Sequence, residues 1–179
     1  MKLSTKLICS SLALILLSII IGVFSISQMS KINEETDEID KNWLPTIKAV
    51  GELNELMNRF RRSELIHILS TDTSAMKQRE QEMSDLIDQI HSKMLDYEKL
   101  MSEPGERENY PKFQSAWKEY LGFHEKVLEH SKMNDNAAAA QLASGDEQTA
   151  FRQASKVLAT LVDINDRGSK ESAAIATAA

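Results

Sequence analysis

The chain has 179 residues, with only three prolines and six glycines, so it can hold long helices. Beyond an apolar N-terminal run it is long enough for one domain of about 150 residues. Its net charge of −6 excludes an ordinary nucleic-acid binder and argues against a surface that hugs anionic lipid, and its single cysteine, Cys9, lies inside the apolar run, which leaves the rest without a disulfide, a thiolate nucleophile or a cysteine metal site.

Leu7 to Ser30 is free of charge over 24 residues. Lys2 and Lys6 precede it, and the acidic stretch Glu34–Asp40 follows. A helix needs about 20 apolar residues to cross a bilayer. The excess of positive charge before the span places residues 1–6 in the cytoplasm, 7–30 in the membrane and 31–179 outside it. A cleaved signal peptide is the alternative. Its apolar region is usually about 7–15 residues and ends at small residues. The run here is longer and Val23-Phe24-Ser25 matches such a site weakly, so an uncleaved anchor is preferred; cleavage would leave a soluble exported bundle.

Breakers divide the remainder at Ser70–Ser74, at Ser102-Glu103-Pro104-Gly105, and from Met133 to Asp146. Four segments lie between them, at roughly 43–71, 74–102, 106–133 and 146–173, each about 42 Å long as a helix. Equal lengths and short connections predict an all-α, antiparallel up-and-down four-helix bundle behind the transmembrane helix. A polar stalk, 31–42, extends the first helix to 31–71, and Pro45 is expected to kink or begin its bundle part. The small-residue tail extends the fourth to 146–179, and residues 137–144 suit a short extra helical turn.

Apolar seams follow the helical period. They comprise Val50, Leu53, Met57, Phe60 and Ile68; Met76, Met83, Ile90 and Tyr97, beside a second heptad row of Glu80, Ile87, Met94 and Met101; Phe113, Trp117, Tyr120, His124 and Val127; and Ala154, Leu158, Leu161, Asn165 and Ile175. The plain reading of each is core.

Asn42-Trp43-Leu44-Pro45 after one span, the stretch Asn58–Glu64, Trp117–Leu121 and Leu161–Asn165 together resemble the four-helix-bundle sensor domain of bacterial methyl-accepting chemotaxis proteins. The resemblance covers nearly the whole chain, and Trp-Leu-Pro after an anchor is its most specific element. It implies a ligand-binding domain on the periplasmic or extracellular side of a bacterial cytoplasmic membrane, working as a homodimer between two spans. It also implies a HAMP domain and a signalling hairpin that engages a kinase complex. The sequence carries neither these nor a second span, so truncation after Ala179 is expected. Histidine kinases and cyclases borrow the same sensor, which leaves the output open.

Matching levels along up-and-down helices gathers polar residues at the membrane-distal end. At 100° per residue, Arg61 lies about 40° from Met57 and Glu64 about 20° to the other side, so both point toward the seam, whereas Arg59 and Arg62 point away. Glu80, His124, His67, Tyr120 and Arg152 fall near the same height. One reading is an internal network of Arg61 with Glu64 and Glu80. The other is a pocket where arginine and histidine capture the carboxylate of an organic acid or amino acid, with aromatics closing over it. A third places ligand at a dimer interface through Arg59 and Arg62. Glu64-x-x-His67 and Asp88-x-x-His91 imitate a di-iron pair, but their levels differ by about 15 Å, and no metal or cofactor is expected. No catalytic constellation is visible, and a ligand-free structural bundle is the remaining class.

Overall fold

A computed structural model describes residues 3–179. Met1 and Lys2, part of the segment expected in the cytoplasm, lie outside the described residues, as do the side chains of Thr5 and Lys6. Helix α1 (Leu3–Glu38) contains the entire apolar run and continues into the polar stalk. Among the described residues it is the part long and apolar enough to cross a membrane, by length and composition.

One π turn, Ile39–Trp43, joins α1 to α2 (Leu44–Leu69), and the helical path is unbroken through it. The turn is wide because the Leu44 N–H reaches back to the Ile39 carbonyl. Pro45, which lacks an N–H, follows at the start of α2, where the wider turn accommodates the missing donor.

The other helices stop and start on side-chain chemistry. Asp72 caps α3 (Thr73–Leu100) by accepting from the Ala75 N–H at 2.8 Å. A capping box between Glu103 and Glu106 opens α4 (Pro104–Lys132). Asn134 then takes a left-handed φ of 57° and turns the chain, a conformation asparagine tolerates better than most residues. Short α5 (Asn136–Ser144) crosses the distal end, and α6 (Asp146–Ala178) returns.

Helix α2 packs along α3 and α4 along α6, while α6 also lies against α2 and α1. This is the expected all-α four-helix bundle behind an apolar helix. The predicted seams are its core: Val50, Leu53, Met57, Phe60, Tyr97, Phe113, Tyr120, Val127, Ala154 and Leu161 are all 0% exposed. The second α3 row is only half-buried at Glu80, Ile87, Met94 and Met101, and Ile175 is 39% exposed. Ten residues beyond Asn165 the helix has turned about 1000°, some 80° off the stripe. Seven residues on, Ser172 takes the buried place and accepts from the Trp43 indole N–H at 3.3 Å. The Trp43 ring lies flat against Gly168, where any Cβ would collide with it. The end of the bundle nearest α1 is thus closed by the tryptophan of the π turn packed against α6.

Candidate functional site

The distal half holds a buried polar cluster built from four helices. On α2, Arg61 and Glu64 share a face at i, i+3 spacing and pair at 2.9 Å. On α4, Tyr120 and His124 share a face at i, i+4, and both reach Glu64: the Tyr120 hydroxyl donates at 2.9 Å and His124 Nδ1 lies 2.6 Å away. Helix α6 contributes Glu147, whose carboxyl accepts from the Arg61 guanidinium. Helix α5 contributes the Ala143 carbonyl, a second acceptor for the same guanidinium. The α5 helix can approach this closely because its inner residues, Ala139 and Ala143, are small and buried.

Aromatic rings hold these groups in place. Phe60 meets Trp117, Tyr120 and His124 edge to face, with centroids 5.7, 5.9 and 4.7 Å away. The Arg61 guanidinium sits 5.8 Å from the centroids of both Tyr120 and Phe151.

Two carboxylates share this dry site with one arginine, and their electrostatics diverge. Burial alone raises the Glu64 carboxyl, but hydrogen bonds from His124 and Glu147 and the charges of His124 and Arg61 outweigh it and hold the group below the usual range. Burial, then the bond and charge of Glu64, push Glu147 up to about 9, against the pull of Arg61. Glu147 therefore carries the proton of the pair at neutral pH, and its Oε1 has no hydrogen-bond partner among the described residues. Burial and the neighbouring carboxylates push the Tyr120 hydroxyl well above its ordinary value, so it remains a donor.

Of the residues proposed from sequence, Arg61, Glu64, Tyr120 and His124 come together. His67 and Glu80 form a separate cluster nearer the tip. His67 Nδ1 lies 2.8 Å from Ser131 Oγ, its Nε2 lies 3.4 Å from Glu80, and Glu80 pairs with Lys132 at 3.0 Å. The expected network of Arg61 with Glu80 is thus corrected: Glu147 takes that place, because α6 begins beside Arg61 while Glu80 faces α4 from α3. Arg152 is exposed on α6 outside the cluster. Arg62 is exposed, and Arg59 borders a smaller cleft with Lys93 between α2 and α3.

Ligand atoms of Glu64, His124 and Glu147 lie within 4.8 Å of one another, a spacing a metal ion could use. Arg61 already supplies positive charge to both carboxyl groups there. Asp88 and His91 face solvent, so no facing pair with Glu64 and His67 forms.

Arg61 also borders a surface cleft of about 640 Å³ between α2, α5 and α6. Leu65, Ile68, Leu69 and Phe151 supply most of its apolar wall, and Arg152 stands at its edge. The guanidinium uses both Nη1 hydrogens and one on Nη2. Nε and the second Nη2 hydrogen have no recorded partner among the described residues. Arg61, half-buried, thus keeps two hydrogens unused and also lines the cleft, beside an apolar surface.

Residues 1–179 match the model of a family described as a four helix bundle sensory module for signal transduction. The chain is also 29% identical over 169 residues to "Putative sensory transducer protein YvaQ" of Bacillus subtilis (strain 168). That alignment covers 94% of this chain and 30% of the relative, so the chain spans under a third of that protein's length.

Proposed function

Because the chain belongs to the four-helix-bundle sensory modules of signal transduction, we propose that it is the extracytoplasmic ligand-binding part of a transmembrane chemoreceptor and binds a small anionic metabolite. The observation that carries the reading is Arg61. It lies at the border of the cleft with two donors to spare, in a fork geometry suited to carboxylate. Helix α1 supports an anchor in a bacterial cytoplasmic membrane, with the bundle on the outer side and residues 1–6 inside.

Ligand contacts at the cleft would join α2 to α5 and the start of α6. Such contacts bias the position of α6 against the continuous α1–α2 helix only to the extent that the two arrangements bind ligand with different affinity. At the other end α6 lies against α1, with Trp43 on Gly168 at the joint, so a small displacement of α6 has a path toward the membrane. The signal then enters chemotaxis, with the same sensor on a histidine kinase or a cyclase as the alternative output.

One observation favours a second reading, a spacer without ligand: Arg61 already has two internal carboxylate partners. A thermal-shift screen of organic acids, amino acids and aromatic compounds on the full chain in lipid nanodiscs separates the two. Ligand at 100 times its dissociation constant stabilises by about 2.7 kcal/mol. For a domain of this size that raises Tm by roughly 5–10 °C. A hit at this scale supports the sensor; no hit in any class supports the spacer.

A further inference from the structure

We infer that the cleft between α2, α5 and α6 takes a monocarboxylate with an apolar body, in preference to an α-amino acid or a dicarboxylate. The inference narrows the ligand of the proposed sensor and rests on that reading.

The volume, about 640 Å³, lies in the range of small-molecule sites, which run from about 300 to 1,000 Å³. The lining divides the ligand in two. Leu65, Ile68, Leu69 and Phe151 ask for an apolar body, and Leu69, 81% exposed, is an apolar rim left to water. Arg61 and Arg152 ask for an anion. With two hydrogens unused, the Arg61 guanidinium retains the capacity to bind a carboxylate.

The lining contains no aspartate or glutamate. An α-amino acid would bring an ammonium group next to its carboxylate, beside a guanidinium and with no anion to receive it. The nearby carboxylates, Glu64 and Glu147, are fully buried and engaged with Arg61. The Ala143 carbonyl, the backbone acceptor at this point, is likewise taken by Arg61. The remaining acceptors of the lining, on Gln148 and Ser144, are neutral, so an ammonium here gains no counter-charge and stands beside a guanidinium, which disfavours it. A dicarboxylate can offer one group to Arg61 and the other to Arg152, but Arg152 is exposed and a pair there gains little, while a second carboxylate laid on the leucines is desolvated without a partner.

Four probes with the same six-carbon chain isolate these terms: hexanoate, norleucine, adipate and hexylamine. Each is titrated by calorimetry into the full chain in nanodiscs, with empty nanodiscs subtracted. Hexanoate is expected to bind at least tenfold more tightly than norleucine or adipate, with no hexylamine binding. Shortening the acid toward acetate should weaken it by up to about fourfold for each methylene removed from the wall. Arg61→Ala should lower hexanoate affinity at least tenfold. Since that change leaves buried carboxylates without their partner, Arg152→Ala at an exposed position is the second variant, with an expected severalfold loss and unchanged folding. Norleucine or adipate binding as well as hexanoate, with the same dependence on Arg61, overturns the inference and leaves the sensor reading intact. Hexanoate binding that neither variant weakens, or none of the probes binding, overturns the inference alone, because the broader metabolite screen decides the sensor.

Discussion

Replacing Glu147 by glutamine keeps the side chain's shape and its acceptor for Arg61 and removes only its titration. In the folded protein, burial and the adjacent Glu64 push this carboxyl from an ordinary 4.5 up to about 9 against the opposing Arg61. The folded state therefore holds a proton that the unfolded chain releases between these two values. The contribution is fully present below about 4.5 and is lost as pH rises through about 9. One such proton gives a slope of at most about 1.4 kcal/mol per pH unit, or up to ~3 kcal/mol between pH 6 and 8. Glu64 acts in the opposite sense, since its value is lowered and its contribution disappears only as pH falls below the carboxylate range. The groups facing Glu147 are Arg61 and Glu64 from α2, Tyr120 and His124 from α4, and the Ala143 carbonyl from α5. Urea unfolding of the full chain, followed by circular dichroism between pH 6 and 8.5, measures the slope. Wild type should lose stability as pH rises, and Glu147→Gln should flatten the curve. Parallel curves for the two proteins would refute the shared-proton account.

Gly168→Ala places a Cβ inside the Trp43 ring and should cost about 1–3 kcal/mol, read as a lower Tm and a shifted tryptophan emission. Glu106→Ala, at the membrane-proximal end, strands the Tyr97 hydroxyl, the Asn165 amide and the N–H groups of Ser102 and Glu103, and should cost about 3–5 kcal/mol in urea titration. Asp72→Ala removes the α3 cap for about 1 kcal/mol, and Arg62→Ala, exposed and unpaired among the described residues, should stay within about 0.5 kcal/mol in the same assay.

The bundle was legible because seam residues recur at helical spacing and four equal segments have few ways to bury them. Glu64 and Arg61 were legible for the same reason, since their angles on α2 point inward. Glu147 was missed, although it sits seven residues before Ala154 and fourteen before Leu161 on one heptad row. An acid in the first turn of a helix is ordinary on dipole grounds, so its type and position alone do not mark it as buried. Glu106 went unnoticed in the same way, seven residues before Phe113 and fourteen before Tyr120, although Glu103 and Glu106 have capping-box spacing. What no periodicity could supply is the docking of α5. Its position fixes the Ala143 carbonyl on Arg61 and makes the cleft, and both depend on the turn at Asn134 and on tertiary packing. Glu80 shows the same limit from the other side: it lies nearer the tip and pairs with His67 and Lys132 instead of Arg61.

In the proposed sensor, ligand binds at the inward-facing arginine of α2. This is tested by titrating the tightest-binding organic acid of the screen into Arg61→Ala and Arg59→Ala proteins. Arg59 lies two residues away on the same helix but borders the α2–α3 cleft, so it controls for charge and proximity. The account predicts at least a tenfold loss of affinity for Arg61→Ala and wild-type affinity for Arg59→Ala. Equal affinities for the two variants, or a greater loss at Arg59, would contradict it.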